Sequence, residues 1–422
     1  MNRKLRVGVL VDLVRGPKAG GHVKCWEKFA AAAASMPEEL DLTVHFSGST
    51  ESHERIADNV LYRYHSPVFS SQKFSFMLPK ISDHSDLASF NPTLAEFLPS
   101  YDVVHTTDGN FCFTRTAQRL AKKRKLRMVN SIHTAAADLA RLVTELTVRN
   151  IFGNNGVSTI LLDKVAIDEK VAARMQARLR RHQSHCSCVF VSRPREEEDA
   201  KRVLAPERVL YLGRGVDRSL FSPNQRDRDW LMANFAIPLD RHLILYVGRM
   251  DATKNIMTLA QAIAGLIAKG HDLHLFCAGE GPERGNIQSL LGERACCPGQ
   301  IDSPTLARLY ASSDILAAPS EIEVFGNVVL EGLASGLPVA VAEKSGMSRV
   351  FTLEKAGVVV NGGGSDAWIA SLGPLFSEPN RLAAMKHFVC ENEIPRLPRW
   401  IDVLRHELFP VWKSVAAEAG HK

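Results

Sequence analysis

The stretch APSEIEVFGNVVLEGLASGLPVAVA, residues 318–342, decides the fold class. Residues 315–318 at its upstream edge and 338–341 near its end are short apolar runs bounded by turn formers, which read as buried strands. Between them lies a helical pattern from about Phe325 onward. Strand, helix and strand in that order form the repeating unit of a parallel sheet with helical crossovers.

The same alternation runs along nearly the whole chain. Strands are expected at residues 5–11, 42–46, 102–105, 126–132, 188–191 and 209–212, and again at 243–247, 273–277, 315–318, 338–341 and 358–360, with helices between most of them. The pattern restarts in the second half, and 422 residues exceed what one core usually holds. The expectation is an α/β protein with two doubly wound, Rossmann-like domains. Residues 1–215 are expected to form the N-terminal domain, 216–240 a linker, and 241–395 the C-terminal domain. The linker rests on GRGVDRSLFSPNQRDRDW, residues 213–230, which has turn formers and charges but no apolar period. Residues 396–422 carry Trp400, Val403, Leu404, Leu408, Phe409 and Trp412 at roughly helical spacing and are expected to pack back on the N-terminal domain. Two facing domains of this kind leave a cleft at the carboxyl ends of their strands, where ligands bind.

Composition narrows the function classes. Apolar residues at 45% and charged residues at 23% exclude collagen-like, low-complexity and largely disordered chains. No apolar run approaches the 18 or so residues of a membrane span. The opening MNRKLRVGVLV imitates a signal peptide, but Asp12 and Arg15 cut it short, so a cytoplasmic location is expected, with contact at the inner face of the membrane left open. The eight cysteines lack framework spacing and read as reduced thiols. Subtracting 46 acids from 52 bases leaves +6, which favours anionic small molecules or an anionic lipid surface. With 7% aromatics and no basic stripe, a nucleic-acid partner is not expected.

Four segments carry candidate chemistry. In GPKAGGHVKCWEKF, Gly16, Gly20 and Gly21 lead into a helix near His22, whose first amides could hold phosphate; a plain tight turn is the alternative. The spacing is not GxGxxG, which weakens a dinucleotide reading. LILYVGRMDATKN delivers Arg249 and Lys254 to a strand end, where two cations could clamp a diphosphate or merely be solvated. FCAGEGPER is a strand running into a glycine turn. Glu323 and Glu331, up to about 12 Å apart if the interval is helical, could accept hydroxyls from both ends of a nucleotide sugar. Alternatively Glu323 only favours the helix start and Glu331 is solvated.

Taken together these segments resemble glycosyltransferase family 4, the retaining group 1 glycosyl transferases of GT-B architecture. The resemblance rests on Gly20-Gly21, GVDRSLFSP, GRMDATKN, GEGP and the ExFGxxxxEGxASGxPV stretch from Glu323 to Val339, in that order along most of the chain. It implies that Arg249 and Lys254 bind the donor diphosphate, Glu323 the sugar hydroxyls and Glu331 the ribose. Backbone amides around Phe325, Gly326 and Asn327 would approach sugar or phosphate, and Gly20 and Gly21 would cover the diphosphate. A functional histidine follows an N-terminal strand in that family, and His133 in RMVNSIHTAAADL stands in the matching context, with His105 and His22 as rivals. The implied activity is retaining transfer of a hexose from a nucleotide sugar, UDP-linked, to a hydroxyl of a lipid or saccharide acceptor, without metal or other cofactor. A nucleotide-sugar epimerase and a non-catalytic nucleotide-sugar-binding protein are the alternatives; a nicotinamide dehydrogenase would need a dinucleotide glycine fingerprint and a ribose-binding acid at the end of the second strand, where LDLTVHFSGS has none. The chain departs from the family pattern at Gly332, where alanine is usual, and residues 51–99 match no motif, which leaves the acceptor open along with the oligomeric state.

Other patterns have plainer readings. Asp227-x-Asp229 imitates a Mn²⁺ motif but follows FSPN rather than an apolar strand, so a helix start is expected. His182, His185, Cys186 and Cys188 contain zinc-ligand types without a second ligand pair, so buried thiols are expected. Ile167, Val171, Met175 and Leu179 mark a helix expected to dock on the core with its arginines in water, a lipid surface being the alternative. Phe69, Phe74, Phe76 and Met77 near Lys73 would suit a lipid acceptor.

Overall fold

The computed structural model describes residues 3–16, 19–70, 86–124, 126–153, 155–378 and 380–418. The chain divides into two compact units, Met1–Arg214 with Trp400–Lys422, and Gly215–Arg399.

The N-terminal unit is built on β1 (Leu5–Val14), β2 (Leu40–Ser47), β3 (Ser52–Ala57), β4 (Val60–His65), β5 (Val103–Thr106), β6 (Met128–Ser131), β7 (Cys188–Val191) and β8 (Val209–Tyr211). They form one sheet in the order β3-β4-β2-β1-β5-β6-β7-β8, antiparallel only between β3 and β4. Helical crossovers cover both faces, so each strand feeds two cores. Val7, Val9 and Val11 enter a cluster with Trp26 and Phe29, whereas Leu10 enters the opposite one with Phe113 and Val189. The tail closes the first cluster: Val403, Leu404, Leu408, Trp412 and Val415 pack into it.

The C-terminal unit contains β9 (His242–Val247), β10 (Leu273–Ala278), β11 (Ala295–Gly299), β12 (Ile315–Ala318), β13 (Val339–Ala342) and β14 (Gly357–Val360). All pair in parallel, in the order β11-β10-β9-β12-β13-β14. Chain order reverses between β9 and β12, and crossovers leaving in opposite directions open a crevice at the carboxyl ends of that pair.

Several expectations need correction. Residues 216–240 are not a free connection: Val216, Phe221, Leu231 and Ile237 are buried in the C-terminal core, isolated apolar anchors among turn residues. Strands β3, β4 and β11 were not anticipated. β3 is an edge strand with an exposed, polar SHERIA sequence, and β11 contains Pro298, so neither shows an apolar run. Phe74, Phe76, Met77 and Lys73 lie outside the described residues. Among those described, no helix is long and apolar enough to cross a membrane. Helix Ile167–Gln183 does turn Leu179 inward and leaves Arg174 and Arg178 exposed. Asp227 caps helix Arg228–Phe235, its carboxylate accepting from the Trp230 amide at 2.8 Å while pairing with Arg308.

The N-terminal unit buries several histidines as neutral rings. His45, His105 and His182 are 0% exposed, and burial pushes His105 and His182 down to about 3 and His45 well below its usual value. Below the ordinary histidine pKa of about 6.5 the unfolded chain takes protons that these folded rings refuse, so stability is lost as pH falls from there. Burial raises Asp12 to about 7 and also raises Asp108 and Glu196, which acts in the opposite direction. Each site is separable by mutation. His182→Gln keeps a polar group beside Thr106 and removes one refused proton, so between pH 6.5 and 5 its unfolding free energy in urea should fall less steeply than that of the parent, the difference in slope approaching about 1.4 kcal/mol per pH unit toward pH 5. Equal slopes would contradict this account of the buried ring.

Candidate active site

In the C-terminal unit the loops after β9 and β12 bring the candidate cations and one carboxylate together. β9 ends at Val247, and Asp251 then starts a single 3-10 turn, Ala252–Lys254, its Oδ1 accepting from the amides of Thr253 at 2.9 Å and Lys254 at 3.2 Å. The other oxygen, Oδ2, lies 3.1 Å from Arg249 Nε, so one buried aspartate both shapes the turn and holds the guanidinium. The glycine turn after β10 braces this loop: the Met250 amide donates to the Glu280 carbonyl at 2.9 Å, and the Glu283 amide to the Met250 carbonyl at 3.0 Å.

Across the crevice, the segment after β12 carries Glu323. Lys254 Nζ lies 2.6 Å from Glu323 Oε2, with the two side chains 27% and 29% exposed, so the pair stands at the open end of the β9–β12 crevice. Ser320 donates to the Thr253 carbonyl at 3.4 Å, a second tie between the same two loops. The helix that follows is Asn327–Ala334, shorter than expected. It cannot reach back to Phe325 because Gly326 sits at φ +69°, a left-handed conformation, and a Cβ there would stand 2.4 Å from Met347 Sδ. Glu323 therefore lies on the turn rather than the helix. The Phe325 side chain is buried in the core and anchors the turn, and Asn327 at the start of the helix is half-buried.

Glu331, half-buried on that helix, is held from below. Tyr310 donates its hydroxyl to Glu331 Oε2 at 3.0 Å. Burial, then the adjacent carboxylate, pushes the Tyr310 phenol well above its usual range, so it stays a donor and fixes one carboxylate oxygen.

The N-terminal unit holds the remaining candidates. Helix Gly21–Ala33 begins after Gly20, whose φ of −68° any residue could adopt, and nothing lies within 4 Å of a Cβ built there. The fold itself does not require glycine at this exposed position. His133 follows β6, and its ring lies parallel to that of His22, centroids 4.5 Å apart. Arg214 Nη2 is 2.9 Å from His133 Nδ1. At the other nitrogen, Nε2, Ser131 Oγ lies 2.7 Å away and the Trp26 indole N–H donates at 3.2 Å. At His105 the Trp412 indole, a donor only, donates to Nδ1 at 3.0 Å, which puts the proton on Nε2, 2.8 Å from Ser131 Oγ. Burial first, then Arg214 and the neighbouring imidazoles, hold His133 well below the usual histidine pKa. Both of its nitrogens are engaged and the ring is neutral, an arrangement suited to fixed positioning and poorly suited to proton transfer. Of the two rivals, His105 is fully buried against Trp412, whereas His22 lies beside His133.

Asp251, Tyr310, Ser131 and Arg214 escaped the sequence reading. Only Asp251 left a local trace, as an Asx residue two and three positions before amides it caps. In the former zinc candidate, Cys186 Sγ is 3.6 Å from His182 Nε2, and both cysteines are buried.

Comparison with known proteins adds the family. Residues 227–388 match the family model of glycosyl transferases group 1. A D-inositol 3-phosphate glycosyltransferase of Thermobispora bispora is 33% identical over 195 residues, 43% of this chain and 45% of that one. A GDP-mannose-dependent alpha-mannosyltransferase of Mycolicibacterium smegmatis is 31% identical over 179 residues, 41% of this chain and 44% of that one. The matched stretch thus spans less than half the length of these curated relatives. In fold, a sucrose-phosphate synthase from Thermosynechococcus elongatus is similar with a TM-score of 0.70 over 97% of this chain and 100% of that one, at 19% identity. Two parallel-sheet α/β units of this kind make the fold class GT-B. Over residues 227–388 the C-terminal unit is thus similar to the glycosyl transferases group 1.

Proposed function

We propose that the protein is a retaining hexosyltransferase that moves a sugar from a nucleotide diphosphate donor, UDP-linked, to a hydroxyl of a lipid or saccharide acceptor. The observation that carries this reading is the Lys254–Glu323 pair at 2.6 Å where chain order reverses between β9 and β12. A cation and a carboxylate on facing loops match the two ends of a glycosyl diphosphate, which presents anionic oxygens on one side of the anomeric bond and hydroxyl donors on the other.

Breaking the anomeric C–O bond leaves its electron pair on the diphosphate oxygen. Arg249 and Lys254 would stabilise that charge more in the transition state than in the ground state, without a metal being required for it. Glu323 would accept sugar hydroxyls and Glu331, fixed by Tyr310, the ribose hydroxyls. The acceptor oxygen then bonds the anomeric carbon on the face the diphosphate leaves, and its proton passes to the departing phosphate oxygen, which retains configuration. Both nitrogens of His133 being occupied supports a positioning role for it. The GDP-mannose dependence named for one relative makes the base a question for a donor panel.

Purified chain, offered UDP- and GDP-linked hexoses with lipid and saccharide acceptors, should form a glycoside whose anomeric configuration by NMR equals that of the donor. Donor incubated alone should yield no epimer; an epimer would replace the reading. Glu323→Ala should lower kcat at least a hundredfold, whereas Glu331→Ala and Tyr310→Phe should chiefly raise the donor KM. Wild-type kinetics in both glutamate variants would refute the assignment. Gly20→Val, placed in open space, should leave the melting temperature unchanged while reducing kcat/KM at least tenfold, and unchanged kinetics would remove Gly20 from the site.

A further inference from the structure

We infer that the N-terminal unit contains a phosphate-binding pocket, for a phosphomonoester carried on a hydroxylated molecule, formed by the loop after β5 and helices Cys112–Arg124 and Ile167–Gln183. The inference does not depend on the transferase reading.

The pocket encloses about 410 Å³, room for a glycerol or sugar phosphate. Arg115, Arg119 and Lys122 line it from the first helix, at the i, i+4 and i+7 spacing that puts them on one face. Arg178 and Arg181, spaced i and i+3, line it from the second. No carboxylate is among the lining residues, and among the described residues Arg119, Lys122, Arg178 and Arg181 form no ion pair. Like charges gathered around one hollow repel, and a dianion relieves that repulsion while giving each guanidinium a matching acceptor.

Arginines on helices are usually just solvated, so the deciding feature is Asn110. It is 7% exposed, it lines the same pocket, and neither its Oδ1 nor its Nδ2 has a hydrogen-bond partner. Leaving both ends of a buried amide unpaired is unfavourable, and native structures avoid it. The loop is not free to turn the residue away: Asp108 Oδ1 accepts from the Asn110 amide at 2.6 Å, and Asn130 Nδ2 donates to the Asp108 carbonyl at 2.9 Å. A side-chain amide offers one donor group and one acceptor. The donor suits a phosphate oxygen and the acceptor a ligand hydroxyl, which is why a hydroxylated phosphomonoester fits better than phosphate alone. The neighbouring Gly109 makes the enclosure possible, since a Cβ there would stand 2.5 Å from Leu179 Cδ1 and 2.8 Å from Leu179 Cα and push the second helix, with Arg178 and Arg181, outward.

The test is titration calorimetry of the full chain with inorganic phosphate and with glycerol 3-phosphate, and cosedimentation with phosphatidylcholine vesicles carrying phosphatidylinositol 4-phosphate, a phosphomonoester headgroup, against phosphatidylcholine vesicles. Arg178→Gln/Arg181→Gln alters the pocket, Asn110→Ala removes the amide, and Lys254→Gln controls for phosphate bound in the C-terminal unit. Saturable binding of glycerol 3-phosphate should persist in Lys254→Gln and weaken at least tenfold in the double variant. Asn110→Ala should weaken glycerol 3-phosphate more than inorganic phosphate. Binding of the free phosphates identifies a soluble ligand; binding confined to the phosphatidylinositol 4-phosphate vesicles and lost in the double variant identifies a lipid headgroup, and either supports the site. No saturable binding of any probe, or equal affinity in the parent and the double variant, overturns it.

Discussion

The arrangement of the C-terminal unit turns on one contact, the ion pair between Lys254 and Glu323. Both side chains are partly exposed, so the pair adds little to stability, about 1 kcal/mol or less. Its consequence is geometric. The lysine comes from the turn after β9 and the glutamate from the loop after β12, and these are the strands between which chain order reverses. The pair therefore holds a cation and an acceptor at the mouth of the one crevice that the topology opens in this sheet. The surroundings serve that placement: Asp251 fixes the turn and Arg249, the glycine loop braces it, and Phe325 and Gly326 lock the approach to the helix bearing Glu331.

The N-terminal unit uses the opposite device. Arg214, His133, Ser131, His105 and Trp412 form a chain of hydrogen bonds that ends in a donor-only group on each side. Satisfied networks in a low-dielectric interior are rigid, and proton transfer would require breaking this one. The tail participates directly, since Trp412 belongs to it while also filling the core. A histidine so placed presents a defined surface, shared with His22, rather than an available base.

The alternation of strands and helices was legible because buried parallel strands are continuous apolar runs, as at residues 273–277 and 315–318. Strands β3 and β11 were not, because an edge strand or one containing proline lacks that run. The charged site residues could be singled out from their positions at strand ends, with a family resemblance to supply their roles. Their partners could not. Tyr310 sits on a helix and looks like any core aromatic, and Arg214 reaches a histidine 81 positions earlier in the chain; no local spacing encodes such contacts. The helix start was misjudged for a related reason, since the left-handed turn at Gly326 depends on Met347, distant in sequence.

The most direct measurement is a crystal structure of the chain soaked with an intact nucleotide sugar. The account predicts diphosphate density at the carboxyl ends of β9 and β12, within hydrogen-bonding distance of Arg249 and Lys254, with a sugar hydroxyl displacing Lys254 at Glu323. A nucleotide sugar bound elsewhere, with the Lys254–Glu323 pair undisturbed and the crevice empty, would contradict it.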